Sequence, residues 1–160
     1  MHTAVPKTFR ELVSEAESIV VARVTGTRAL QLESGVIVTD VALEVLLAVK
    51  GPREPLMTLR MPGGRIGDRE VMIDGAPAFQ ADQILLLFVR GNMVDVVPFV
   101  GAQEAVFYVI TDPSGIGRVF TSLGRPVVAI WAGEVRTGQP GATALSLSQF
   151  LTHIEMELGR

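Results

Sequence analysis

The chain has 160 residues, of which 48 % are hydrophobic and 19 % are charged, and its formal net charge is −3. This length is typical of one domain with a substantial core, and the low charge content argues against a disordered chain. Only two lysines occur and the arginines are scattered. That distribution argues against nucleic acid or an anionic membrane as a partner, because phosphate binding depends on clustered cations. Cysteine is absent, so disulfides, thiol catalysis and cysteine-ligated metals are excluded.

A short helix is predicted near each end of the chain. Thr8 and Glu11 have the spacing of a capping box, and apolar residues then recur at helical spacing until about Ser18. Ser146 and Gln149 have the same spacing and begin a second helix. The apolar face of that helix consists of Leu147, Phe150, Leu151, Ile154 and Leu158.

Between the helices the apolar period changes to two and β-branched residues dominate, which predicts strands. The first strand is predicted over Ile19–Leu32, and Gly26 indicates a bulge inside it. The later strands are predicted at Val36–Val49, Leu56–Met61, Val71–Ile73, Gln83–Arg90, Met93–Phe99, Ala105–Ile110, Arg118–Thr121 and Val127–Trp131. Residues Gly133–Thr143 are predicted to form a loop.

This series of elements predicts a mainly β fold. Many short strands separated by turns favour a barrel or a sandwich over βαβ units. A coiled first strand with an internal glycine and a long second strand favour an OB-like Greek-key barrel with a short N-terminal and a C-terminal helix. A β-sandwich is the alternative. No linker or charge run divides the chain, so residues 1–160 are predicted to form a single domain.

No residue cluster predicts a catalytic or metal site. His2 lies near the terminus and His153 at the margin of a helix face, and neither has a partner that would orient a general base. Asp40 and Glu44 share one face of a strand, roughly 13 Å apart at strand spacing, which is too far to share a proton or a metal ion. We therefore interpret both as solvated edge charges, and predict no cofactor, no metal and no enzymatic activity.

The aromatic residues also argue against nucleic acid as a partner. They make up only 6 % of the chain, and most lie in apolar contexts that suit a core. Tyr108 and Trp131 are the two expected at the surface, whereas binding of single strands by an OB barrel needs aromatic platforms in a basic groove.

The segment from Pro62 to Glu70 is the most glycine-rich and charged loop of the chain. It lacks the Lys-Ser/Thr pair of a phosphate-binding loop and does not begin a helix, so a hairpin whose glycines adopt positive φ is predicted instead. Arginine there would present a planar fork of donors to an acidic partner surface. The candidate ligand- or partner-binding residues are Arg65, Asp68, Arg69 and Glu70. A solvated hairpin tip is the alternative.

An ordered set of motifs resembles a group of small bacterial exported proteins. The motifs include Ser18–Val24, Thr39–Val45 closing on Val49–Gly51, Pro62–Gly64, Gly75–Phe79, Leu85–Val89, Gly101–Gln103 and the final Leu-Ser-Leu-x-x-Phe-Leu helix. The chain departs from the group at Asp82-Gln83 and at Gln103-Glu104. The first half is also remotely similar to netrin-like and tissue metalloproteinase-inhibitor OB domains. Those inhibitors act through an N-terminal cysteine, which this chain lacks, so their mechanism is not carried over.

The resemblance implies an extracytoplasmic protein whose signal peptide has been removed, since the start of the chain has no basic segment followed by an apolar one. A cytoplasmic protein is the alternative. The longest apolar runs, residues 84–89 and 105–110, are too short to span a bilayer. We expect a non-enzymatic module that binds a protein partner. The alternatives are a structural protein that forms homo-oligomers through a strand edge, and a small enzyme built on the loop from Gly63 to Glu70.

Overall fold

The computed structural model describes residues 5–160. They form two helices, ten strands and a 3₁₀ turn at Gln103–Ala105. In chain order the elements are α1 (Phe9–Glu15), β1 (Ser18–Gln31), β2 (Ile37–Lys50), β3 (Leu56–Pro62), β4 (Gly64–Ile66), β5 (Arg69–Val71), β6 (Ile84–Val89), β7 (Val106–Thr111), β8 (Gly117–Thr121), β9 (Val127–Trp131), β10 (Glu134–Thr137) and α2 (Leu147–Leu158).

Six strands form one antiparallel sheet in the order β3-β2-β1-β6-β7-β8. Two separate hairpins pair β4 with β5 and β9 with β10. The predicted mainly β fold with a helix near each end is therefore confirmed. Within residues 5–160 the sheet is open, with β3 and β8 at its two edges. Closure into the predicted OB-like barrel is thus not observed.

Both predicted capping boxes are present. Thr8 and Glu11 exchange side-chain-to-backbone hydrogen bonds of 2.9 and 3.1 Å, and Ser146 and Gln149 do the same at the start of α2. Each cap satisfies backbone N–H groups that the first helical turn leaves free. The caps fix where the two helices begin, and thus which face each helix turns toward the sheet.

Four phenylalanines join the helices to the sheet. The ring centroid of Phe150 on α2 lies 5.6 Å from that of Phe9 on α1 and 5.0 Å from that of Phe107 on β7. Phe88 on β6 completes the cluster, 5.9 Å from Phe107. The surrounding core consists mainly of buried aliphatic side chains, and among residues 5–160 no polar or charged residue is buried.

The predicted bulge at Gly26 is confirmed. Val24 pairs with Leu43 and Gly26 with Ala42, so Thr25 is an additional residue in β1. A bulge bends the strand and increases its twist. Beyond this point β1 leaves β6 and pairs only with β2, whose other side pairs with β3 from Val38 to Glu44.

Three sequence predictions are wrong. The predicted strand Met93–Phe99 is a compact turn, because Gly91 and Met93 have positive φ and the Asp95 N–H folds back to the Gly91 carbonyl at 2.7 Å. The predicted strand Val71–Ile73 begins earlier, at Arg69, and ends at Val71. Part of the predicted loop Gly133–Thr143 is β10, which pairs with β9 through a tight turn.

Candidate functional site

The four candidate residues lie together on the β4–β5 hairpin. Arg65 on β4 is the cross-strand partner of Glu70 on β5, while Arg69 begins β5 and Asp68 lies in the turn. All four residues are exposed. Within the turn, Arg65 Nε donates a hydrogen bond to the Gly67 carbonyl at 3.2 Å. The structure thus brings the predicted residues into one short, solvent-facing element.

Gly63 anchors this hairpin to the start of β2. Its N–H donates to the Ile37 carbonyl at 3.0 Å, and its carbonyl accepts a hydrogen bond of 2.8 Å from Thr39 Oγ1. Its φ is +84°, and a Cβ atom there would lie 2.6 Å from the Val71 carbonyl oxygen. Only glycine fits both conditions. The hairpin geometry predicted for this glycine-rich segment is therefore confirmed at Gly63.

The charges of the hairpin lack ionic partners in the described part of the chain. Neither Arg65 nor Arg69 has a carboxylate oxygen within 4 Å, and neither Asp68 nor Glu70 pairs with a cation. The next residues, 71–73, are Val-Met-Ile, and all three are exposed, Met72 by 81 %. The hairpin and this strip, residues 65–73, are called the hairpin surface below. It combines guanidinium groups that have no ionic partner with exposed apolar side chains.

Asp40 and Glu44 occupy a different setting from the one predicted. Both lie on β2, which is inside the sheet, so their interpretation as edge charges is wrong. Asp40 accepts two hydrogen bonds of 2.8 and 3.0 Å from Arg60 on β3, and these bonds raise the pKa of that guanidinium. Glu44 accepts one of 3.1 Å from Arg23 on β1. Both carboxylates are thus bound by arginines of neighbouring strands, and these cross-strand pairs stabilise the sheet.

The two aromatic residues expected at the surface differ in exposure. Trp131 is 70 % exposed at the end of β9. Tyr108 is half-buried, its hydroxyl donates to the Ala78 carbonyl at 3.2 Å, and burial raises its pKa. Of the two histidines, His153 is half-buried on α2 and His2 lies outside the described residues.

A second candidate surface was not predicted. A cleft of about 540 Å³ lies between the start of α1, the 3₁₀ turn with β7, the β8–β9 turn and β10, and is called the α1 cleft below. Buried Leu12, Val106 and Phe107 contribute to its lining, together with the charged Lys7 and Arg125. A volume of this size is typical of small-molecule sites. Its walls come from segments far apart in the chain, so no local motif could have indicated it.

Residues 5–160 contain neither a cluster of metal-binding side chains nor a helix that could cross a membrane. No group of three His, Asp or Glu side chains is placed to hold a metal ion. No helix in this range combines the length and apolar character needed to cross a membrane. No family model matches the chain, and no match to it was found among curated proteins or among solved structures.

Proposed function

We propose that the protein is a non-enzymatic binding module that recognises a protein partner through the hairpin surface. The observation that carries the proposal is the pair of arginines, Arg65 and Arg69, without carboxylates in reach on an element fixed at its base by Gly63. Most other arginines of the described residues are in ion pairs. Because Arg and Met are enriched in protein interfaces, the combination with Met72 favours a protein over a small ligand.

The chemistry of the surface specifies the partner. Guanidinium groups bind carboxylates with two parallel hydrogen bonds, which lysine cannot do. The adjacent exposed strip, residues 71–73, provides apolar contact area. We therefore propose a partner that presents acidic side chains beside an apolar patch. Binding of this kind weakens as salt screens the exposed charges.

The proposal also covers the family of the protein and the compartment in which it acts. We propose that the chain belongs to the exported OB-like group that its motifs resemble, and that it acts outside the cytoplasm. The strand order supports an OB-like arrangement, because β1, β2 and β3 follow one another across the sheet and β6 returns to lie beside β1, which is the order of a Greek key. Asn92, from the turn after β6, already reaches β3: its Oδ1 accepts from Arg60 N–H at 3.0 Å and its Nδ2 donates to the Thr58 carbonyl at 2.7 Å.

The test is a pair of double variants. Arg65→Ala with Arg69→Ala removes the two cations of the hairpin surface, and Arg28→Ala with Arg53→Ala removes two other exposed arginines without ion pairs. We expect both double variants to melt like the wild type, since exposed charges contribute about 0–1 kcal/mol to stability. A partner is isolated with the wild-type protein from the envelope fraction of the source organism, identified by mass spectrometry and purified for direct titration.

The hairpin variant should lose most of the affinity for that partner, whereas the control variant should keep it. The wild-type affinity should also fall as salt is raised. Equal affinity of the two double variants would contradict the proposal, and so would a partner whose binding does not depend on salt.

A structural, self-associating protein is the second candidate function. It is favoured by the start of β3, where Leu56 is 69 % exposed at the edge of the open sheet. Unpaired strand edges are templates for pairing with another copy. Sedimentation velocity over a hundredfold range of concentration discriminates the two. A sedimentation coefficient that rises with concentration and returns to the monomer value in Leu56→Lys would favour self-association, and a constant value would exclude it.

A further inference from the structure

The α1 cleft combines an apolar floor with one unengaged charge. Buried side chains of α1 and β7, among them Leu12 and Val106, line its base, and half-buried Val135 on β10 contributes a wall. Sites that bind small organic ligands have this composition, a mostly apolar lining with a few polar groups that orient the ligand.

Three of the four charged side chains that line the cleft already have partners. Lys7 Nζ lies 3.0 Å from a carboxylate oxygen of Glu15. Glu104 accepts a hydrogen bond of 3.3 Å from the Lys7 backbone N–H. The carboxylate of Glu134 lies 3.3 Å from the guanidinium of Arg136. A charged ligand would therefore compete with existing contacts at each of these positions.

Arg125 is the fourth charged side chain. Its backbone N–H donates to Thr121 Oγ1 at 3.2 Å, which fixes the β8–β9 turn. Its guanidinium makes no ion pair or hydrogen bond with any residue between 5 and 160. The one charged side chain of the cleft without any such contact is thus a cation, and its guanidinium can bind a carboxylate with two parallel hydrogen bonds.

We propose that the α1 cleft binds an amphipathic organic carboxylate. The carboxylate would pair with Arg125, and an aliphatic chain would cover the apolar floor around Leu12, Val106 and Val135. Arg125 supplies orientation, while affinity grows with the apolar surface that the chain removes from water. This site is independent of the hairpin surface, because the two share no residue and no element.

The experiment uses the full chain and compares three probes that each carry a chain of ten carbon atoms: sodium decanoate, decanol and decyltrimethylammonium. Each is titrated below its aggregation concentration and followed by ¹H–¹⁵N NMR. We expect decanoate to bind most tightly and to shift the amide signals of the cleft, those of the 3₁₀ turn, the β8–β9 turn and β10. Hexanoate should bind roughly tenfold or more weakly than decanoate, because it buries four fewer methylene groups.

Two variants separate charge recognition from general apolar binding. Arg125→Gln should weaken decanoate roughly tenfold, the loss expected for a charge-assisted hydrogen bond, and should leave decanol unchanged. The control is Arg53→Gln, which replaces an exposed arginine outside the cleft. It should change neither the affinity for decanoate nor that for decanol. Equal affinities for decanoate and decanol, or shifts that fall outside the cleft, would overturn the proposal. Decanoate binding that is the same in Arg125→Gln and in the wild type would also overturn it.

Discussion

The two edges of the six-stranded sheet are protected in different ways. Along β8, the segment before α2 continues the backbone ladder: Val119 N–H donates to the Leu145 carbonyl at 3.0 Å, and Arg118 bridges to Ser146. Along β3, one side chain reaches the edge, since Asn92 bonds the N–H of Arg60 and the carbonyl of Thr58. One edge is thus covered by main chain and the other by a single amide.

The difference shows how each edge depends on the rest of the molecule. The segment that covers β8, Leu145 and Ser146, is called the β8 cover below. It leads directly into α2, whose buried face includes Phe150 and Ile154, so this edge and the core form one cooperative unit. The Asn92 amide imitates a residue of a neighbouring strand, with one donor and one acceptor, but it comes from an exposed turn. We therefore expect perturbation of the β8 side to destabilise the whole fold and perturbation of the β3 side to have a local effect.

The largest effect is expected at the centre of the β8 side. Phe150→Ala removes a fully buried ring whose centroid lies 5.6 Å from that of Phe9 and 5.0 Å from that of Phe107. The variant should lose about 3–5 kcal/mol of unfolding free energy in a denaturant titration, because the cavity cannot collapse fully. Met156→Ala on the exposed side of the same helix is the control, and it should cost less than about 0.5 kcal/mol. A loss below about 1 kcal/mol for Phe150→Ala would mean that α2 is peripheral.

A smaller effect is expected on the β3 side. Asn92→Ala removes both hydrogen bonds to the edge strand and should cost about 1–2 kcal/mol, since each contributes about 0.5–1.5 kcal/mol and water can replace part of them. Asn92→Asp keeps the acceptor for the Arg60 N–H but loses the donor to the Thr58 carbonyl. Hydrogen exchange should show faster exchange of the Arg60 amide in the alanine variant than in the aspartate variant. Unchanged exchange in both variants would mean that Asn92 does not hold the edge.

The sequence predicts best what depends on neighbouring residues. The capping boxes at Thr8 and Ser146 and the bulge at Gly26 follow from local chemistry, and each is present. The sequence predicts a strand over Met93–Phe99, yet the positive φ of Gly91 and Met93 folds the chain back on itself. There a local turn replaces the predicted strand.

The two candidate sites differ in the same way: one lies within a single segment and the other is formed by distant ones. The exposed charges of the hairpin were predictable, because Arg65 to Glu70 lie within one glycine-rich segment whose composition favours a hairpin. The α1 cleft was not, because Lys7, Val106, Arg125 and Val135 approach one another only when four separate elements pack. Single-sequence periodicity carries no information on such contacts. The ion pairs of Asp40 and Glu44 were missed for the same reason, since each partner lies on another strand.

The smallest effect is expected from a carboxylate that ties the β7–β8 turn to the β8 cover. Asp112 accepts hydrogen bonds from the Ser114 hydroxyl at 2.6 Å, from the Ile116 N–H at 3.0 Å and from Arg118 Nε at 3.0 Å. These bonds, that from the Ser114 hydroxyl first, hold the pKa of Asp112 far below its usual value. Arg118 in turn donates to the Ala144 carbonyl, so the turn is linked to the segment that covers β8.

The sign of the pH dependence follows from the depressed pKa. The native state favours the ionised carboxylate, so its contribution to stability is complete above the unfolded-state pKa of about 3.9 and is lost as the pH falls below that value. Asp112→Asn should therefore be less stable than the wild type at pH 6, and the difference should narrow as the pH falls from about 4 toward 2. Asp74→Asn, which removes an exposed carboxylate, is the control. A difference between wild type and Asp112→Asn that stays constant from pH 6 to pH 2 would contradict the prediction. The substitution would then act through the lost hydrogen-bond acceptor and not through the charge, and the covered β8 edge would owe its order to the backbone ladder and the buried face of α2.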